Sequence, residues 1–177
     1  KSKNVSSEII QFENKELKEL INDFVSSSDK ILAKIIVDQD SPFLKSIIIN
    51  KGSKDKIKIG TNIYDQSYLV GRVIEVNYKT ARVLLLSDLN SNVPASIAPQ
   101  NVQAIITGSG DNDGVIKYIK EGINNQFDDQ SIVYTSGTGA IFKSGIPIGK
   151  LKIKNNGKTT EFYVEFFSDF SQLKYVF

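Results

Sequence analysis

Apolar positions near the start of the chain recur at a helical interval. Ile10, Leu17, Leu20, Ile21 and Phe24 share one face, and Glu13, Lys15, Glu16, Lys18 and Glu19 fill the other. The spacing predicts a helix over 5–25, ended by Ser26-Ser27-Ser28-Asp29. Such a stripe suits a surface helix laid on a domain or the tail of a coiled coil. So short a repeat does not choose between them, since about three or four heptads are needed.

From Ile31 onward the rhythm changes to short β-type runs punctuated by Gly, Asn, Asp and Ser. The predicted strands are 31–38, 44–50, 69–76, 82–87, 102–107, 115–119, 132–135, 148–153 and 162–167, with 173–177 as a further one. In the run from Phe162, Phe162, Val164 and Phe166 face one way and Tyr163, Glu165 and Phe167 the other, the alternation of a strand. No long amphipathic stretch separates these runs, so parallel βαβ units are disfavoured. Many short antiparallel strands imply sandwiches or closed barrels.

A weak internal echo divides them. Tyr68-Leu69-Val70-Gly71-Arg72-Val73 returns in kind as Ile146-Pro147-Ile148-Gly149-Lys150-Leu151. Each copy puts one glycine inside a β-rich run, where glycine marks a bulge, a bend or a close backbone approach. The expected fold class is therefore mainly β, an N-terminal amphipathic helix followed by two small antiparallel β-barrels. Between them, Asn92-Val93-Pro94-Ala95-Ser96-Ile97-Ala98-Pro99 reads as the seam, because each proline removes a ladder donor.

Composition narrows the chemistry. The 177 residues contain no His, Cys, Met or Trp. Ser-His-Asp and Cys-His sites, the usual zinc sites, haem and iron–sulfur clusters are thereby excluded, and so are disulfides. Net charge is +2, from 22 basic and 20 acidic residues, which argues against a nucleic-acid binder. Only Arg72 and Arg82 carry the guanidinium fork suited to carboxylates and phosphates. No run approaches the roughly 18 apolar residues that span a bilayer. The chain begins at Lys1, and any membrane anchor is expected upstream of it.

Four stretches look chemical. Gly108-Ser109-Gly110-Asp111-Asn112-Asp113-Gly114 resembles a phosphate or calcium loop. As a dinucleotide loop its third glycine comes late and no helix follows, and as an EF-hand it ends on Lys120 where a glutamate is required. It reads as a polar hairpin turn. Ser53-Lys54-Asp55-Lys56 has the Ser-x-x-Lys spacing of penicillin-recognising enzymes, but it lies between strand-like runs, where Gly52 and Asp55 make a turn. Ser136, in Thr135-Ser136-Gly137-Thr138-Gly139, has no visible base, and Gly137 and Gly139 read as a tight corner. Finally, Phe162, Tyr163, Phe166, Phe167, Phe170, Tyr175 and Phe177 form the densest apolar group, either core or a patch for a partner.

Taken in order, several of these pieces resemble the rod shape-determining MreC family. They are Gln11-Phe12-Glu13-Asn14 with Leu17 and Leu20, and Ser41-Pro42-Phe43 with Ile49-Asn50-Lys51-Gly52-Ser53. Next come Leu69 to Val76 followed by Ala81 to Asp88, then Thr135-Ser136-Gly137 with Gly145 to Lys150. The chain departs from the family's usual Gly-Gly-x-Phe-Pro at Gly139-Ala140-Ile141-Phe142-Lys143. The resemblance implies a helix that dimerises (1–30) and a first barrel over 31–98 completed by 161–177. A second barrel would occupy 99–160. It also implies no catalytic, cofactor or metal site, and a periplasmic scaffold of the cell-elongation complex held to the inner membrane by a preceding helix. Its partners would be a second copy, a class B penicillin-binding protein, MreD, RodA and MreB. Two rivals stay open on the residues alone: an adaptor subunit of an export system, and a Ser/Lys hydrolase on a trypsin-like barrel pair.

Overall fold

The computed structural model describes residues 5–12, 14–15, 30–40, 44–119 and 127–177. The chain divides into two compact units, Lys1–Leu32 with Phe177, and Ala33–Val176. In the first, residues 5–12 and 14–15 are helical, and Val5, Ile9, Ile10 and Phe12 are exposed. Of the predicted helical stripe only Ile10 lies among the described residues. Leu17, Leu20, Ile21 and Phe24 lie outside them.

The second unit holds twelve strands among the described residues: β1 (Ala33–Asp40), β2 (Lys45–Ile49), β3 (Asn62–Asp65), β4 (Tyr68–Val76), β5 (Ala81–Leu85), β6 (Asn92–Ile97), β7 (Val102–Gly108), β8 (Asp113–Ile119), β9 (Ile132–Thr135), β10 (Pro147–Asn155), β11 (Thr160–Phe166) and β12 (Tyr175–Val176). They form two six-stranded antiparallel sheets. One has the order β12-β1-β2-β5-β4-β3, and the other closes on itself as β10-β11-β8-β7-β6-β9. The edges of the first, β3 and β12, come close to one another without pairing, so this sheet also curls into a barrel. Val, Ile and Leu side chains from both interiors join one continuous core, each worth about 1.5–3 kcal/mol when fully buried.

The partition of the chain differs from the expected one at two strands. The stretch expected to be a seam holds β6, a full member of the closed barrel, paired with β7 and with β9. Pro94 is tolerated there because β9 ends opposite it. The ladder starts at Ala95 with Thr135, and beyond it the Pro94 carbonyl accepts the Ser136 N–H at 3.0 Å. β11 also belongs to the closed barrel, between β8 and β10, and only β12 returns to the first sheet. β3, which no run predicted, is a short strand joined to β4 by the tight Gln66-Ser67 turn, with Gln66 at φ 54°.

The two barrels share one connectivity. In the first, β1, β2, β5, β4 and β3 are neighbours in that order, with β12 at the remaining position. In the second, β7, β8, β11, β10 and β9 repeat the order, with β6 at that position. The echoing glycines fall on matching sites. Gly71 pairs with Ile63 and Leu85, and Gly149 with Val133 and Phe166. Neither makes a turn. A Cβ on Gly71 would meet the Leu84 carbonyl oxygen at 2.0 Å, and one on Gly149 the Glu165 oxygen at 2.1 Å. The strands carrying them, β4 and β10, are in contact where the barrels join. There the Tyr68 and Phe167 rings lie 4.7 Å apart, and the Arg72 guanidinium sits 5.9 Å above the Phe142 ring.

Asp88 ties the connection after β5 to the start of β2. Its buried carboxylate accepts the backbone N–H of Lys45 and of Asn90, both at 2.7 Å. Replacing it by alanine removes two charge-assisted bonds, so Asp88→Ala should cost about 3 kcal/mol. The check is a lower urea midpoint at unchanged m-value.

Candidate functional site

None of the chemical-looking stretches assembles a reactive site. Gly108 ends β7 and Asp113 opens β8, so the glycine-rich stretch is a hairpin loop, with the Ser109 hydroxyl bonded to the Asp113 side chain. Ser53–Asp55 forms a single 3-10 turn that starts after Gly52, whose backbone is extended at φ −143°. Lys56 ends that turn in a left-handed conformation. The Ser136 hydroxyl donates to Thr138 Oγ1 at 3.0 Å and accepts the Thr138 N–H, a local turn in which Gly137 and Gly139 both have positive φ. Among the described residues no group of three or more acidic side chains is placed to hold a metal ion.

Among the described residues, burial perturbs one carboxyl clearly. It pushes Asp65 above the ordinary carboxylate range, offset in part by the Ser168 hydroxyl beside it. The folded chain then holds this proton more tightly than the unfolded one. The group therefore favours folding at acid pH and loses that preference as pH rises through its folded value. Asp65 ends β3, at the edge of the first sheet.

The surface offers something different. On the outer face of the closed barrel, cross-strand register places Pro94, Ile105 and Tyr118 in one row across β6, β7 and β8. The next row runs Thr107, Val115, Tyr163 and Lys152 across β7, β8, β11 and β10. Tyr118 is 56% exposed, Val115 41% and Ile105 39%. Val115 and Tyr118 are three residues apart, which in a regular strand would send them to opposite faces. The register shift in β8 opposite Ile105 and Ile106 gives Lys117 no partner and brings both side chains outward.

Ile105, Val115 and Tyr118, with Pro94 and Tyr163 beside them, thus form an apolar strip on one outer face of the sheet. Charged groups border it: Lys117 is exposed on one side, and Lys152 pairs with Glu165 at 3.6 Å on the other. An apolar centre inside a polar rim is how protein–protein interfaces are built. Aromatic and branched side chains held by a ladder present such area at low entropic cost. Of the C-terminal aromatic group, only Tyr163 joins this strip. Phe166 and Phe170 are buried, with rings 5.5 Å apart, and fill the core.

Comparison with known proteins gives this fold its relatives. The family model described as "Rod shape-determining protein MreC, barrel core" matches residues 35–177. The cell shape-determining protein MreC of Caulobacter vibrioides is 32% identical over 144 residues, covering 81% of this chain and 40% of that protein. The Haemophilus influenzae protein of the same name is 26% identical over 157 residues, covering 88% of this chain and 44% of its own length. The chain thus spans less than half of these relatives. A solved MreC structure superposes with TM-score 0.81 at 27% identity, over 94% of this chain and 97% of that one. A more distant fold neighbour, at 13% identity and TM-score 0.59, is from a complex between the penicillin-binding protein PBP2 and MreC of Helicobacter pylori.

Proposed function

This chain belongs to the family of rod shape-determining MreC proteins, and from that premise we propose that it is a non-enzymatic periplasmic scaffold of the cell-elongation complex, docking a class B penicillin-binding protein on the outer face of its closed barrel. The observation that carries the reading is the exposed strip of Ile105, Val115 and Tyr118, framed by Lys117, Lys152 and Glu165. Its apolar centre and charged rim suit a protein partner, and the Helicobacter pylori neighbour comes from an assembly with a partner of that class. A distant neighbour described as a major periplasmic domain supports the compartment. MreD, RodA and MreB complete the proposed complex on family grounds.

The test is direct binding between this protein and the extracytoplasmic part of the cognate class B penicillin-binding protein. Saturable binding is the expected result, and none at high micromolar concentration overturns the reading.

Pairing through the helical stripe Ile10, Leu17, Leu20, Ile21 and Phe24 belongs to the same proposal. It rests on the periodicity and on the exposure of Ile10 (57%) in the described part of the helix. Leu17→Asp, in a chain extended upstream, should shift sedimentation from dimer toward monomer. A monomer at every concentration, unchanged by the substitution, counts against it.

A further inference from the structure

The repeated connectivity exposes an unequal closure. In each half, five strands form the same neighbour order, and the sixth strand crosses to the other half: β6, which follows β5, completes the second barrel, and β12, which follows β11, completes the first. The two crossings are held very differently. β6 pairs six residues with β7 and three with β9. β12 pairs only Ala33 with Val176 and Lys34 with Tyr175, extended by the Ile35 N–H donating to the Lys174 carbonyl at 3.0 Å, and has no ladder to β3. What holds β12 is the fully buried Val176 together with the buried Phe177 and with Leu173, which packs against the core. Just before it, the Asp169–Gln172 turn leaves Ser171, Gln172 and Lys174 exposed, while the buried Ser168 hydroxyl has no partner at full hydrogen-bond geometry.

We infer that β12 is an exchangeable strand, and that two copies of this chain can trade it so that each completes the first barrel of the other. The occupant is fixed by identity. The slot beside β1 in a second copy offers the same edge and the same places for Leu173, Val176 and Phe177, so a reciprocal exchange can restore the native contacts and costs the entropy of association. Opening hinges at the exposed turn and withdraws Leu173, Val176 and Phe177 together, while Phe170 upstream stays anchored on Phe166 and by the Asn112 side chain, which accepts its N–H at 3.3 Å. With equal contacts in both forms, the exchange balances where the second copy's concentration matches that of a tethered strand, on the order of millimolar. The protein should thus be monomeric in this respect when dilute and exchanged when crowded. This mode is separate from pairing through the helix and does not depend on it.

The absence of cysteine makes the test clean. Lys34 and Tyr175 are register partners, and neither is buried. Proteins carrying K34C and Y175C singly are mixed at about millimolar concentration, diluted and oxidised. A disulfide-linked heterodimer, well above what either variant gives alone, is expected. The double variant K34C/Y175C, oxidised while dilute, should close within one chain. Once locked, it should lose the crowding-dependent dimer in light scattering, and reduction should restore it. Three results overturn the proposal: intrachain closure without any mixed heterodimer, a locked protein that dimerises as before, or a double variant that does not close.

Discussion

Gly149→Ala should lose about 3 kcal/mol or more of stability, and Gly71→Ala should do the same. The added methyl would lie 2.1 Å from the Glu165 carbonyl oxygen in the first case and 2.0 Å from that of Leu84 in the second. Both obstacles are backbone atoms in a neighbouring strand, so no side chain can rotate out of the way. The ladder itself must move, at the upper end of what overpacking costs. Against a total stability of about 5–15 kcal/mol, the double substitution should leave little folded protein at ambient temperature. Circular dichroism through a urea titration reads this out. Gly157→Ala is the control: its φ is +77° and nothing lies within 4 Å of the new atom, so only the backbone penalty of roughly 1 kcal/mol applies. Equal losses at positions 149 and 157 would show that the close approach is not what selects glycine in the strands.

Ile105→Glu combined with Tyr118→Glu should weaken binding of the class B penicillin-binding protein by roughly a hundredfold while leaving the urea midpoint nearly unchanged. The two side chains are direct neighbours across β7 and β8 and point to solvent. Changing them removes apolar area from the middle of the strip and places two carboxylates where a desolvated contact is needed. Central interface residues typically cost about 2 kcal/mol or more when lost, and about 1.4 kcal/mol is tenfold in affinity. Exposed substitutions shift folding by only about 0.5 kcal/mol. Tyr78→Glu, more accessible at 68% but placed in the turn between β4 and β5, should bind normally. Full affinity in the double variant would move the docking face elsewhere.

These two regions differ in how far the sequence reveals them. The alternation from Phe162 to Phe166 shows in the residues because large apolar side chains strictly alternate with tyrosine and glutamate. The glycines at 71 and 149 show for the same reason, as gaps in otherwise branched runs. β6 was hidden by Pro94, whose missing donor matters only where a neighbouring strand continues, and β9 stops there. The proposed docking strip is hidden more deeply. Ile105 lies in the run Val-Gln-Ala-Ile-Ile-Thr, where two adjacent isoleucines give no sign of which faces out. Tyr118 reaches the same face as Val115 only through the irregularity in β8. Cross-strand neighbours far apart in the chain make the patch, and no local pattern encodes them.

The late arrival of β12 also sets an order of events during synthesis. By the time β5 has left the ribosome, five strands of the first sheet exist, but the edge of β1 stays bare until the entire second barrel has been made. Bare edges invite pairing with other chains. A nascent chain cut short by a premature stop after β11 would therefore carry one sealed barrel and one sticky one, a product suited to proteolytic clearance rather than partial function.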